Sequence, residues 1–84
     1  MSRRDLIDMF RNLATEIAEE DYSHVEEGDQ IAELGIDSLA MLELVGTMER
    51  ELSIQVPDET LVGLQTVRQL LELVESRMPA GAVA

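Results

Sequence analysis

The sequence predicts an all-α protein, a small four-helix bundle with three main helices, one short third helix and a long loop between helices one and two. Two observations support this prediction. Three stretches repeat apolar side chains at helical spacing, and a capping residue stands before each of them. Glycine, proline and other loop formers separate the stretches. The 84 residues leave room for a single domain.

The first predicted helix runs from about residue 3 to residue 20. Ser2 is placed to cap its start, and the carboxylates of Asp5 and Asp8 suit its positive end. The apolar side chains recur at intervals of three and four, and they therefore share one face. These side chains are Leu6, Met9, Phe10, Leu13 and Ile17.

Residues 21–36 show no sustained period and contain Gly28 and Gly35, so we predict a long loop. Loops of this length are uncommon in compact domains unless they have a function. We expect four apolar side chains to pack inward and hold the loop in place. They are Val25, Ile31, Leu34 and Ile36.

The second helix is predicted to start at Asp37 or Ser38 and to end near Leu52. Its apolar face combines Met41, Leu42, Leu44, Val45, Met48 and Leu52. Pro57 cannot continue a helix, and Asp58 can cap a short third helix that reaches about Leu64.

The last predicted helix is capped by Thr66 and followed by Pro79. Its apolar residues are Val67, Leu70, Leu71, Val74 and Met78. We therefore predict one helical domain over residues 1–78 and a flexible C-terminal tail over residues 79–84.

The composition excludes several classes of function. Eighteen acids against six arginines give a net charge of −12, which repels nucleic acid and anionic membranes and favours partners with basic patches. No apolar run approaches the roughly 20 residues of a membrane helix, and no long apolar segment follows the basic N-terminus. We expect a cytoplasmic monomer that binds neither nucleic acid nor membrane.

The sequence lacks the residues and motifs that the catalytic and metal sites we considered would need. There is no cysteine, and both possible registers of a calcium-binding loop in residues 21–34 place the wrong residues at the glycine or glutamate position. His24 is the only histidine, and Gly35-x-x-Ser38 is not a nucleophile elbow. We therefore predict no catalytic residue and no metal site.

Ser38 stands directly after a capping aspartate at the start of the second helix. Two interpretations follow. Ser38 could be one more residue of the cap, or its hydroxyl could carry an attached phosphodiester, because free N–H groups and a positive dipole favour added negative charge at a helix start. The physical argument alone leaves both open.

The stretch LGIDSLAMLELVGTMERELSIQVPDE resembles the acyl carrier proteins of fatty-acid and polyketide synthesis. The resemblance covers about residues 25–75. The matching motifs are Leu34-Gly35-x-Asp37-Ser38-Leu39, Glu43-Leu44, Glu49 with Glu51, Ile54-x-Val56-Pro57-Asp58-Glu59 and Thr66-Val67.

The resemblance implies that Ser38 receives 4′-phosphopantetheine from coenzyme A through a separate magnesium-dependent phosphopantetheinyl transferase. Acyl groups would then travel as thioesters on the thiol of this arm. The carrier itself would catalyse nothing and would present its cargo to ketosynthases, acyltransferases and other pathway enzymes at high effective concentration.

The resemblance also suggests roles for residues of the second helix. Partner enzymes with basic docking patches would recognise Asp37, Leu39, Glu43 and Glu49. The acyl chain could lie in a slot inside the bundle, where adaptable methionine side chains would help to line it. The candidate slot residues are Met41, Leu42, Val45, Met48 and Leu64.

Three positions depart from the pattern or from ordinary helix chemistry. Ala40 stands where fatty-acid carriers often have an acid, and Arg50 interrupts the acidic end of the helix, which leaves room for a specialised pathway. Gly46 costs about 1 kcal/mol relative to alanine inside a helix, which suggests close approach of a partner or of the arm.

Two alternatives to an acyl carrier of polyketide or fatty-acid synthesis stay open. They are a carrier of aminoacyl or other specialised thioesters and a non-catalytic helical interaction domain.

Overall fold

The computed structural model describes residues 2–79 and contains three α-helices and two short 3-10 helices. The helices are α1 (Arg3–Ala18), α2 (Ser38–Leu52) and α3 (Val67–Arg77), and the 3-10 helices span Ile31–Leu34 and Asp58–Leu61. Within these residues there is no strand; Gln30 and Thr66 form an isolated bridge. None of the described helices is long and apolar enough to cross a membrane. The predicted all-α bundle is confirmed.

Helix α1 starts at the predicted cap and ends earlier than predicted. The Ser2 hydroxyl accepts a hydrogen bond from the Asp5 N–H at 3.2 Å, and the Asp5 carboxylate accepts one from the Ser2 N–H at 3.0 Å. These bonds hold the pKa of Asp5 below its ordinary value. The helix stops at Ala18 rather than residue 20 because Glu19 adopts a left-handed conformation with φ of 56°.

Helices α2 and α3 also have side-chain caps. The Asp37 carboxylate accepts a hydrogen bond from the Ala40 N–H at 2.8 Å, so Asp37 is the cap and Ser38 is the first helical residue. Thr66 and Gln69 form a reciprocal capping box at α3. Helix α3 ends at Arg77, one residue before the predicted Met78.

The core lies between the three helices and under the loops that connect them. Among residues 2–79 no charged residue is buried, and the one buried side chain with a polar group is that of Tyr22. The buried residues are Leu6, Ile7, Phe10 and Ala14 of α1, Leu44, Val45 and Met48 of α2, Val67, Leu70, Leu71 and Val74 of α3, and Tyr22, Val25, Ile36, Ile54 and Val56 of the connections. In α1 the buried face is rotated from the predicted one, because Ile7 and Ala14 are inside while Met9, Leu13 and Ile17 are only half-buried.

The long loop is tied by backbone hydrogen bonds to the start of α3 and to the residues just before it. The Ile31 N–H donates to the Gln65 carbonyl at 2.8 Å, and the Arg68 N–H donates to the Glu27 carbonyl at 2.8 Å. As predicted, Val25 and Ile36 are buried, whereas Ile31 and Leu34 are half-buried. The 3-10 helix at Ile31–Leu34 was not predicted, because four residues are too few to show a period.

The short third helix also differs from the prediction. It is a 3-10 helix that ends at Leu61 rather than near the predicted Leu64, and Asp58 is its first residue and makes no capping hydrogen bond. The backbone turns at Val62, and Gly63 adopts a positive φ of 88°. The predicted tail falls mostly on residues 80–84, which lie outside the described part of the chain.

Candidate functional site

The Ser38 side chain is exposed at the start of α2. Within residues 2–79 its hydroxyl has no hydrogen-bond partner, and neither do the backbone N–H groups of Ser38 and Leu39. The Asp37 carboxylate does not occupy these donors, because it caps the N–H of Ala40 instead. A free hydroxyl therefore lies beside two free donors at the positive end of a 15-residue helix.

The turn before Ser38 explains why the hydroxyl faces solvent. Gly35 ends the first 3-10 helix in a left-handed conformation with φ of 77°, which glycine adopts without strain. The next residue, Ile36, is buried and anchors the turn in the core. The Tyr22 hydroxyl donates a hydrogen bond to the Leu34 carbonyl at 2.7 Å and so holds the preceding residues.

Ser38 lies on the edge of an open groove of about 710 Å³. The first 3-10 helix, the start of α2 and the segment from the second 3-10 helix to Gln65 form its walls. Its apolar lining comprises Ile31, Ala32, Ile36, Met41, Leu42, Leu61, Val62 and Leu64. A groove of this size and composition can hold an extended organic group attached at its edge.

The structure brings three of the five predicted slot residues to this groove. Met41, Leu42 and Leu64 line it. Val45 and Met48 do not, because their side chains are 2% and 0% exposed and pack in the core. Sequence analysis missed the lining residues Ile31, Ile36, Leu61 and Val62 as part of this site, since their positions depend on two 3-10 helices that leave no periodic signal.

Of the four predicted recognition residues, three are exposed and one is half-buried. Asp37, Leu39 and Glu43 are exposed on the first turns of α2, and the Leu39 side chain is 68% exposed. Glu49 is half-buried, and its carboxylate accepts a hydrogen bond from the Val56 N–H at 3.0 Å. Glu49 thus holds the segment after α2 against the helix, which the sequence did not indicate.

The titrating groups with shifted pKa values lie away from the groove. Hydrogen bonds to Ser23 lower the pKa of Asp21, and the Arg3 guanidinium lowers the pKa of Glu75. Neither carboxylate lines the groove. His24 is exposed in the long loop, and within residues 2–79 no three histidine, aspartate or glutamate side chains are grouped to hold a metal ion. Among the residues that line the groove, Ser38 is the one with a hydroxyl; the other polar side chains there are those of Gln30, Asp37, Asp58 and Gln65.

Comparison with known proteins gives the family. The family model described as "Phosphopantetheine attachment site" matches residues 8–74. The chain belongs to the acyl carrier protein family. It is 41% identical over 86 residues to the acyl carrier protein of Streptomyces coelicolor, covering 96% of this chain and 92% of that protein.

A second carrier and a solved structure agree with this assignment. The monensin polyketide synthase acyl carrier protein of Streptomyces virginiae is 45% identical over 51 residues, which span 61% of this chain and 58% of that protein. The crystal structure of an acyl carrier protein from Thermotoga maritima superimposes with a TM-score of 0.82 at 31% identity, over 89% of this chain and 88% of that one. The family resemblance in the sequence is therefore confirmed.

The carrier's cofactor is 4′-phosphopantetheine, as the matched family model indicates. The residues at the start of α2 fit this group. Attachment of 4′-phosphopantetheine needs a hydroxyl that solvent can reach, groups that stabilise a phosphodiester and a surface along which the arm can lie. Ser38 supplies the hydroxyl, its own N–H and that of Leu39 are free within the described chain, and the groove begins beside them.

Proposed function

We propose that Ser38 Oγ holds the 4′-phosphopantetheine arm, and that the protein delivers acyl thioesters to enzymes of polyketide or fatty-acid synthesis. The observation that supports Ser38 most strongly is its exposed hydroxyl, which has no hydrogen-bond partner among residues 2–79 and lies at both a helix N-terminus and a groove edge. In this role the chain is a carrier and catalyses no reaction itself.

Attachment of the arm is a single phosphoryl transfer. Ser38 Oγ attacks the phosphorus of coenzyme A that bears the pantetheine, and the bond from this phosphorus to the bridging oxygen breaks. Adenosine bisphosphate leaves, and the hydroxyl proton passes to a base of a separate magnesium-dependent phosphopantetheinyl transferase. The free N–H groups of Ser38 and Leu39 and the positive end of α2 then stabilise the phosphodiester charge.

The bound arm supplies the terminal thiol that a cysteine-free chain lacks, and it carries the acyl group there as a thioester. The groove residues Met41, Leu42 and Leu64 would shield an apolar acyl chain from water. Val45 and Met48 belong to the core and are left out of this proposal. A structure of an acylated form with the whole acyl chain in solvent would refute the shielding role.

Partner enzymes would dock on the exposed start of α2. Asp37 and Glu43 offer carboxylates to basic patches, and Leu39 offers exposed apolar area. Glu49 contributes less, because its carboxylate already binds the Val56 N–H. The predicted monomeric state and cytoplasmic location remain predictions.

A polyketide pathway is favoured over a housekeeping fatty-acid pathway. Ala40 stands where the resemblance leads us to expect an acid in fatty-acid carriers, and Arg50 interrupts the acidic end of α2. The 45% identity to a carrier named for monensin polyketide synthase points in the same direction.

Mass measurement of the modified chain tests the proposal. The apo chain is incubated with coenzyme A, Mg²⁺ and a broad-specificity phosphopantetheinyl transferase, and its intact mass is recorded. We expect the gain of one phosphopantetheine in the wild type and none in Ser38→Ala. Ser23→Ala is the matched control, since it removes another exposed hydroxyl and should leave modification complete.

A further inference from the structure

The groove beside Ser38 is lined by two glutamines whose side-chain amides are not used by the fold. Gln30 and Gln65 both line the groove and are exposed. Among residues 2–79 neither side-chain amide makes a hydrogen bond, whereas Gln69, which does not line the groove, accepts two with its side-chain oxygen. The groove therefore offers two sets of NH2 donors to a group that enters it.

The backbone holds these two glutamines next to each other. The Ile31 N–H donates to the Gln65 carbonyl at 2.8 Å, and Gln30 forms an antiparallel bridge with Thr66. The two segments are thus one strand spacing apart, which places the Cα atoms of Gln30 and Gln65 roughly 6 Å from each other. Side chains that start at this separation can reach two oxygen atoms of one extended chain.

The groove offers an acyl chain a mixed lining rather than an apolar tunnel. Val45 and Met48 are buried in the core and do not line it, so a chain attached at Ser38 contacts polar as well as apolar side chains. A plain alkyl chain would displace water from the glutamine amides without replacing its hydrogen bonds, which is unfavourable. A chain with carbonyl oxygens replaces these bonds.

The remaining polar side chains of the groove restrict the charge of the chain. Asp37 and Asp58 also line it. Carboxylates cannot donate a hydrogen bond to a carbonyl oxygen, and they repel a second carboxylate. The groove therefore favours a neutral chain, and the donors for its oxygen atoms are the two glutamines.

We propose that Gln30 and Gln65 are specificity-determining residues, whose amide N–H groups donate to the two carbonyl oxygens of a neutral β-keto acyl chain. Met41, Leu42 and Leu64 cover the carbon skeleton of this chain. The carrier then accepts the product of an enzyme that condenses acyl units, before the 3-oxo group is reduced. This inference rests on the proposed function, because it assumes that the arm is attached to Ser38.

Two acyl forms that differ in one carbonyl group test this inference. Apo chain labelled with ¹⁵N is loaded by the transferase from hexanoyl-coenzyme A or 3-oxohexanoyl-coenzyme A, and intact mass confirms each product. We expect the side-chain NH2 signals of Gln30 and Gln65 to move downfield in the 3-oxohexanoyl form relative to the hexanoyl form. Gln55 is the internal control, since it is exposed outside the groove and its signals should not move.

A double variant separates hydrogen bonding from packing. Gln30→Met with Gln65→Met keeps the length of both side chains and removes their donors, and both positions are exposed, so the core is unchanged. We expect the wild type to melt about 4 °C higher in the 3-oxohexanoyl form than in the hexanoyl form, and the double variant to lose this difference. Gln55→Met is the matched control and should keep it.

The outcomes distinguish this inference from the proposed function. If Ser38 cannot be loaded, the proposed function fails and this inference fails with it. If loading succeeds but the glutamine signals are the same in the two acyl forms, only the inference is overturned. The same shifts in a form that bears the arm without an acyl group would assign the glutamines to the amides of the arm and overturn it too. A melting-temperature difference that persists in the double variant would also overturn it, because the added oxygen would then be bound elsewhere.

Discussion

The Tyr22 hydroxyl donates a hydrogen bond to the Leu34 carbonyl oxygen at 2.7 Å. Tyr22 is buried just after α1, and Leu34 ends the 3-10 helix that forms one wall of the groove. The Tyr22 N–H also donates to the Thr15 hydroxyl at 3.0 Å, so the backbone of Tyr22 is held to α1 while its hydroxyl holds the groove wall. One residue thus links α1, through its backbone N–H, to the turn that presents Ser38, through its side-chain hydroxyl.

Tyr22→Phe keeps the ring in the core and removes this link. We expect a loss of about 1 kcal/mol in the free energy of unfolding. Because the lost bond is local, amide hydrogen exchange should accelerate more in residues 31–37 than in α3, which is the internal control. Equal acceleration in both regions would contradict a local role for Tyr22.

Substitutions at Glu49 test whether its carboxylate serves the fold or the docking face. Glu49→Ala leaves the Val56 N–H without its acceptor and should lower the free energy of unfolding by about 1–2 kcal/mol. Glu49→Gln can still accept this bond and should lose less. Urea denaturation measures the free energy of unfolding of both variants. If neither variant loses stability but both are modified more slowly by the transferase, Glu49 belongs to the docking face after all.

Arg50 places a positive charge on α2, seven residues after Glu43, the nearer of the two carboxylates proposed to meet basic patches. Its guanidinium donates to the Thr47 hydroxyl at 3.2 Å and pairs with no carboxylate among residues 2–79. We expect Arg50→Glu to raise kcat/KM several-fold with a transferase that has a basic docking patch, and the gain to shrink as salt is added. Arg77→Glu on α3 makes the same change in net charge and should have little effect. An equal gain in both variants would show that net charge matters and that the position does not.

The ion pair between Arg3 and Glu75 connects α1 to α3 and makes stability depend on pH. Arg3 Nε donates to Glu75 Oε2 at 2.9 Å, a second hydrogen bond joins the two groups, and together they lower the pKa of Glu75. A carboxyl group whose pKa is lower in the folded state stabilises the fold above its unfolded pKa and loses this effect as pH falls through the folded value. Both side chains remain partly in solvent, so we expect Glu75→Gln to cost at most about 1 kcal/mol at pH 7.

The difference between wild type and Glu75→Gln should therefore be largest at neutral pH and shrink below about pH 4.5. Thermal unfolding of both proteins from pH 7 to pH 3 measures this difference. The wild type carries −12 and the variant −11, so acid relieves charge repulsion almost equally in both proteins and this effect largely cancels in the difference. A difference that does not change with pH would show that the ion pair contributes no stability.

The helices could be predicted from the sequence because their information is local. Periodic apolar residues and the caps Ser2, Asp37 and Thr66 placed all three helix starts correctly. The groove could not be predicted in the same way. Whether Met48 lines a groove or fills the core depends on packing between helices, and the role of Glu49 depends on a bond to a residue seven positions away.

Ser38 could be named from the sequence for a different reason. Local physics left a cap and an attachment site equally possible, and the surrounding motif favoured attachment. The structure adds that Asp37 alone makes the capping bond, which leaves the Ser38 hydroxyl free within the described chain.

Fragmentation of a single peptide tests the central proposal most directly. After reaction with coenzyme A and the transferase, cleavage after arginine releases Asn12–Arg50, which contains the hydroxyls of Thr15, Tyr22, Ser23, Ser38 and Thr47. We predict fragment ions that place the whole added mass on Ser38. Placement on any other hydroxyl of this peptide, or on a different peptide, would contradict the account.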